Sequence, residues 1–145
     1  MLACGVCALV VASPAATSVR WREVARGPTG DATAPDAPPL VVRTRADAQT
    51  IERFLPEAGR AALARVDLRR SLVVALFSDL GCKDRRLVVT AIERRGPVLR
   101  VTEVLKPLAP GEVECQALYG VYRVLALPKA QFAQPYPTRY RVIRA

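Results

Sequence analysis

An α+β fold is predicted for this chain, a curved antiparallel sheet or partly open barrel of about six strands with one main helix. Three features predict it: a capped amphipathic stretch beginning at Thr44, a continuous apolar run Leu72–Phe77, and β-branched-rich segments separated by turn residues from Leu87 onward. Taken in order, Val19–Val24 has the composition of a short first strand, and Gly27–Pro39 is a Gly/Pro/Asp-rich loop. Leu40–Arg43 follows as a second short strand. Thr44 with Asp47 three residues on forms a capping box, in which hydroxyl and carboxylate each satisfy a backbone N–H at a helix start. Ala48, Ile51, Phe54 and Leu55 recur at helical spacing, which places a helix over Arg45–Leu55, interrupted at Pro56 and Gly59 before a short turn at Ala61–Leu63.

The β character begins at Leu72. A continuous apolar run bounded by Asp79 and Gly81 is the pattern of a strand buried on both faces. Leu87–Glu93 and Val98–Leu105 flank Arg95-Gly96-Pro97 and read as a hairpin. Pro107–Gly111 is a loop, Leu118–Leu127 a long strand ended by Pro128, and Thr138–Arg144 a last strand with Arg139 and Arg141 on one face against Tyr140 and Val142 on the other.

Hydrophobic residues make up 51% of the chain, which excludes disorder of the whole. The N-terminal apolar run is far too short to span a bilayer. Residues 1–18 carry no charge and give way abruptly to Val19-Arg20-Trp21-Arg22, as expected of a secretory signal cut after Ala15 or Ala16. A competing reading takes Leu2-Ala3-Cys4-Gly5 as a lipobox with Cys4 as the site of lipid attachment. Either route gives an extracytoplasmic protein: periplasmic, at the cell surface or secreted. The expected organisation is therefore a signal over 1–18, a short strand and Gly/Pro-rich loop over 19–39, and a single α+β domain over 40–145.

The net charge of +9 comes almost wholly from arginine, the lysines being Lys83, Lys106 and Lys129. Such basicity admits acidic partners, and scattered arginines are equally what a solvated surface carries. The aromatic residues are too few and too dispersed to interleave with the arginines as nucleic-acid binding requires, so no nucleic-acid partner is expected.

From about Val66 to Lys129 the order of features resembles the C-terminal domain of the protease-complex subunit PrcB family. The features are Val66-Asp67-Leu68 leading into the buried strand, Gly81 after it, a hairpin, a loop with Pro110-Gly111 and Cys115, and Tyr122 separated by five residues from Pro128-Lys129. Trp21 and the upstream strand–helix pair also fit longer members. Where that family carries Thr-Gly-Gly-Tyr, this chain has Cys82-Lys83-Asp84-Arg85-Arg86, and Val121-Tyr122-Arg123 stands for the family's Pro-Tyr-His. The resemblance implies an extracytoplasmic accessory or binding domain rather than a catalyst.

The residue inventory points the same way. The chain has no histidine to act as base for a nucleophile, and Ser71 and Ser78 read as turn and strand-end residues. Glu112 and Glu114 lie in a Pro/Gly loop where solvated acids are ordinary, so paired-carboxylate catalysis is not expected. No phosphate-binding loop is present, because Gly27-Pro28-Thr29-Gly30 is followed by no Lys-Ser or Lys-Thr. Cys82 and Cys115 lack the close spacing and imidazole partners of a metal site. No catalytic, metal or cofactor site is therefore expected, and those two cysteines are read as a disulfide. The function expected is that of a non-enzymatic envelope protein that binds another protein, which the resemblance implies to be a protease that it accompanies or stabilises, with Arg100, Arg123, Arg139 and Arg141 as candidate partner-binding residues. The alternative is a basic module that holds an anionic lipid or glycan.

Closing the loop between Cys82 and Cys115 is expected to stabilise the domain by roughly 3–4 kcal/mol through the entropy of the unfolded chain. Non-reducing mass spectrometry of the exported protein checks the bond; two free thiols there would exclude it.

Overall fold

The structure is a computed structural model that describes residues 13–30, 40–78, 86–114 and 120–145. Cys4, Cys82 and Cys115, and with them the lipid-attachment and disulfide readings, lie outside the described residues. The elements in chain order are β1 (Thr17–Ser18), β2 (Arg22–Pro28), α1 (Arg45–Glu52), α2 (Glu57–Ala64), β3 (Ser71–Ser78), β4 (Leu87–Arg95), β5 (Val98–Leu105), β6 (Val121–Pro128) and β7 (Arg139–Arg144). A 3-10 turn, Lys129–Gln131, follows β6.

The α+β class stands. The strands divide into a four-stranded sheet, β1-β4-β5-β7, and a three-stranded sheet, β2-β6-β3, and these do not close into a barrel. The pairings are antiparallel except β5 with β7, which run parallel because the last strand returns by a crossover through residues 129–138 rather than by a hairpin. Alternation explains how the layers stack. Leu72, Val74 and Leu76 of β3 and Leu125 and Leu127 of β6 meet Ile92, Leu99, Val101 and Tyr140 of the other sheet in one core. The opposite parity of the same two strands, Val73 with Tyr122, Val124 and Ala126, packs on Ala48, Leu55 and Leu63 from the helical layer in a second core. The order is thus sheet, sheet, helices, and β3 and β6 are apolar throughout because both faces are covered.

Several local signals act as the sequence demands. Thr44 accepts from the Asp47 N–H, and the Asp47 carboxylate accepts from Thr44 N, completing the capping box of α1. Gly96, at φ 59°, opens the tight β4–β5 connection with Pro97 behind it, the primed turn that matches strand twist. The Leu40–Arg43 segment forms only isolated bridges, Leu40 to Arg139 and Val42 to Val73, and so laces one sheet to the other, with Val41 in the first core and Val42 in the second. The helix expected over Arg45–Leu55 ends at Glu52 as α1, and the short turn expected at Ala61–Leu63 is part of a full helix, α2, with Pro56 at its N-cap position.

The segment assigned to a short strand and loop is part of the domain, since β2 pairs with β6 from Arg22 to Pro28. Thr17 and Ser18 pair with Arg94 and Glu93, and Val19 is buried in the core. A cut after Ala15 or Ala16 preserves β1, whereas one after Ser18 removes it.

Tyr122 fills the space between β2 and α2, and Gly59 is what admits it: a Cβ there would lie 2.9 Å from Tyr122 Cε2 and 3.2 Å from Leu55 Cβ. In an open helix Gly→Ala gains roughly 0.5–1 kcal/mol, but forcing a methyl into a packed core costs typically 1–3 kcal/mol. Gly59→Ala is therefore expected to destabilise the protein, seen as a lower urea midpoint at unchanged slope.

Candidate functional site

The four candidate residues separate into two environments. Arg123 is not on the surface. Its strand is buried on both faces, and its parity is that of Leu125 and Leu127, so the side chain enters the layer between the sheets. There it is 1% exposed and pairs with Glu103, itself 1% exposed, which occupies the inward parity of β5 after Leu99 and Val101. Arg123 Nη2 donates to Glu103 Oε1, its Nη1 donates to the Leu87 carbonyl at 3.4 Å, and Arg144 Nε donates to Glu103 Oε2 at 3.2 Å. The partner-binding reading of Arg123 is thus corrected: a carboxylate from the facing sheet consumes its charge. The pattern that marks this pair is legible in retrospect, because Glu103 and Arg123 each interrupt an apolar parity.

Tyr140 borders the same cluster. Its hydroxyl donates to the Ala75 carbonyl of β3, tying β7 to the facing sheet. Burial, with the Glu103 carboxylate as a second influence, pushes its phenol well above the ordinary tyrosine value.

Arg100, Arg139 and Arg141 are brought together. Directly opposed residues share a face, and the register gives two adjacent rows on the outer side of the four-stranded sheet: Arg95, Val98 and Arg139, then Glu93, Arg100 and Arg141. A third row, Thr102 and Ile143 beside Ala91, continues the face. Arg95, Arg139 and Arg141 are exposed and Arg100 is half-buried, with its Nε enclosed and unpartnered. Glu93 is the one carboxylate in these rows, and no described element covers them. Arg95 is the member that the sequence reading missed; its equal spacing from the hairpin turn to Arg100's neighbour Val98 was the available signal. Val142, expected beside Tyr140 in the core, is 37% exposed because it stands at the sheet edge.

Other features serve the fold. Asp67 closes the turn into β3: its side chain accepts from Arg69 N at 3.0 Å, which holds its carboxyl below the usual range, and its carbonyl accepts from Arg70 and Ser71. Lys129 donates its ammonium to the carbonyls of Arg43, at 3.0 Å, and Leu68. Val66-Asp67-Leu68 and Pro128-Lys129 are therefore in contact, with local structural reasons for their residue types. An open cleft of about 370 Å³ lies between residues 14–19 and the β4–β5 turn, lined by Arg94, Gln131 and Phe132 among others. Its Arg94 and Gln131 are engaged within the fold: Arg94 donates to the carbonyls of Gly96, Ala133 and Pro135, and Gln131 both accepts from and donates to the Arg20 backbone at 2.7 Å. Among the described residues no group of three or more metal-ligating side chains converges, and no helix is long and apolar enough to cross a membrane. No protein-family model, curated protein or solved structure matches this chain.

The sign of the Tyr140 effect is fixed by linkage. A phenol whose folded value lies above the unfolded value of about 10 contributes its full stability below that pH, and loses it as pH rises toward the folded value. Stability measured by urea unfolding between about pH 8 and 11 is expected to fall at the alkaline end, and to fall less steeply in Tyr140→Phe. Tyr122, which burial also raises, contributes to the slope that remains.

Proposed function

We propose that this chain is a non-enzymatic exported domain that binds another protein through the outer face of its four-stranded sheet, in keeping with an accessory or stabilising subunit of an envelope protease. The convergence of Arg95, Arg100, Arg139 and Arg141 on one uncovered face carries this reading. Arginines interleaved with half-buried Val98, Thr102 and Ile143 form a mixed surface of the kind protein interfaces favour, where arginine is enriched and lysine depleted. A face built only to hold phosphates needs no such apolar component.

Charge on this face steers encounter with an acidic surface, and exposed charges are screened within about 10 Å at 0.1 M salt. Arg139→Glu with Arg141→Glu is expected to leave the melting temperature unchanged and to weaken capture of a stoichiometric partner from an envelope extract, chiefly through slower association. Salt-sensitive retention on many polyanions or on anionic vesicles instead would favour the lipid or glycan reading. Undiminished capture by the double variant at low and moderate salt would remove the face from consideration.

A further inference from the structure

Arg100 lies on β5, the middle strand of β4, β5 and β7, and its surroundings set it apart from the other arginines of the outer face. Among the described residues its side chain enters no hydrogen bond or ion pair, and the same holds for Arg95, Arg139 and Arg141. Glu93, directly opposite on β4, does not bond it, although opposite charges so placed attract. Its Nε is enclosed without an acceptor, which leaves the terminal nitrogens as the donors a ligand can reach. A guanidinium partly withdrawn from water gains more from an arriving carboxylate than a fully solvated one, because it gives up less hydration and the screening around it is weaker. Arg139 and Arg141 are exposed and lack that advantage.

The register gives these residues a geometry. Val98 stands opposite Arg139 and Arg100 opposite Arg141, so the four side chains rise from the corners of one cell between β5 and β7. Neighbouring strands lie about 4.8 Å apart and alternate residues about 6.6 Å along each, which is room for a single side chain of a partner. Three corners are guanidinium groups and the fourth is the half-buried Val98. The adjoining cell toward β4 holds Arg95, Val98, Arg100 and Glu93, and its carboxylate offsets one of its two cations. We infer that Arg100, Arg139 and Arg141 form the receptor for one acidic side chain of the partner protein, whose carboxylate is held among the three guanidinium groups while its aliphatic stem lies on Val98. This rests on the arginine-face reading and names the group that the partner brings to it. Glu93 beside Arg100 disfavours a group of higher charge, such as a phosphate dianion. The exposed Arg139 and Arg141 steer the encounter, and Arg100, the half-buried member, sets how long the complex lasts.

The probe is a short capped peptide with a central glutamate, titrated into the full-length protein at low salt, with the same peptide carrying glutamine as control. Binding is read from the Nε–H signals of the arginines in NMR spectra. The glutamate peptide is expected to shift the signals of Arg100, Arg139 and Arg141 saturably, and to leave those of Arg95 and of Arg94, whose Nε is bonded to the Gly96 carbonyl, in place. Arg100→Lys keeps the charge but not the fork of donors. It is expected to leave the melting temperature unchanged and to weaken peptide binding about tenfold, as loss of one charge-assisted hydrogen bond would, whereas Arg95→Lys leaves binding as it was. Equal response to the two peptides overturns the inference, as do shifts that miss Arg100 or spread evenly to Arg95, whatever the stability of the lysine variants. Inorganic phosphate that saturates the same three signals at a lower concentration than the peptide overturns it in favour of a phosphate-bearing ligand. Envelope partner capture that falls in the Arg139/Arg141 glutamate variant but not in a folded Arg100→Lys overturns the receptor while leaving the arginine face intact. Undiminished capture by the glutamate variant removes both.

Discussion

Two sheets that meet across aliphatic side chains have to accommodate a carboxylate and a guanidinium at one end of the shared layer, and the placement of the other strands depends on how that is done. Glu103 comes from β5 and Arg123 from β6, so the buried pair forms across the layer between the sheets, and Arg144 of β7 adds a second, more exposed cation to Glu103. Set against an apolar replacement such a pair adds little, but loss of one partner leaves a buried charge uncompensated, at a cost of about 3–5 kcal/mol. A slip of one residue in either strand would turn the charge outward and expel the apolar residues of the same parity with it. The pair therefore acts chiefly by disfavouring other alignments of the two sheets.

From that pair the constraint spreads to β7. Arg144 reaches back to the second oxygen of Glu103, and Tyr140 crosses to the Ala75 carbonyl on β3. These contacts hold a strand that has one sheet neighbour, β5, among the described strands. The outward residues Arg139 and Arg141 are consequently presented by a strand fixed from beneath. Side chains displayed from an anchored strand lose less freedom on meeting a partner than side chains displayed from a loop, which favours a recognition role for this surface.

Much of the architecture was legible in local signals because those signals need no distant partner. The Thr44–Asp47 box, the Gly96-Pro97 turn and the two-sided apolar runs at Leu72 and Val121 each announce their element within a few residues. What was not legible depends on which strands become neighbours. Parallel pairing of β5 with β7 follows from the crossover of residues 129–138, whose course is set by contacts such as Arg94 with the Ala133 and Pro135 carbonyls, far apart in sequence. Arg123 was misplaced for a related reason: a lone arginine in a strand reads as solvated unless the facing strand supplies a carboxylate, and Glu103 is identified as that group only by the fold. Arg95 joins Arg139 through pairing that skips β6 altogether.

The division of arginines into consumed and unconsumed sets bears on why the chain is basic. Arg123 is neutralised inside, Arg94 is spread over three carbonyls, Arg26 is paired with Glu23, and Arg86 bonds Glu114 and the Lys106 carbonyl. These residues answer to the fold. On the outer sheet face four arginines share rows with a single glutamate, an excess of positive charge that raises the free energy of the isolated domain through mutual repulsion. Scatter of arginine over a solvated surface would place neighbours of either sign at random, as happens around β2 and α1, where Glu23 and Asp47 have cations beside them. An arrangement that concentrates like charge on the one sheet face that no described element covers, on guanidinium groups able to meet carboxylates with paired donors, is better matched to an acidic partner than to solubility alone.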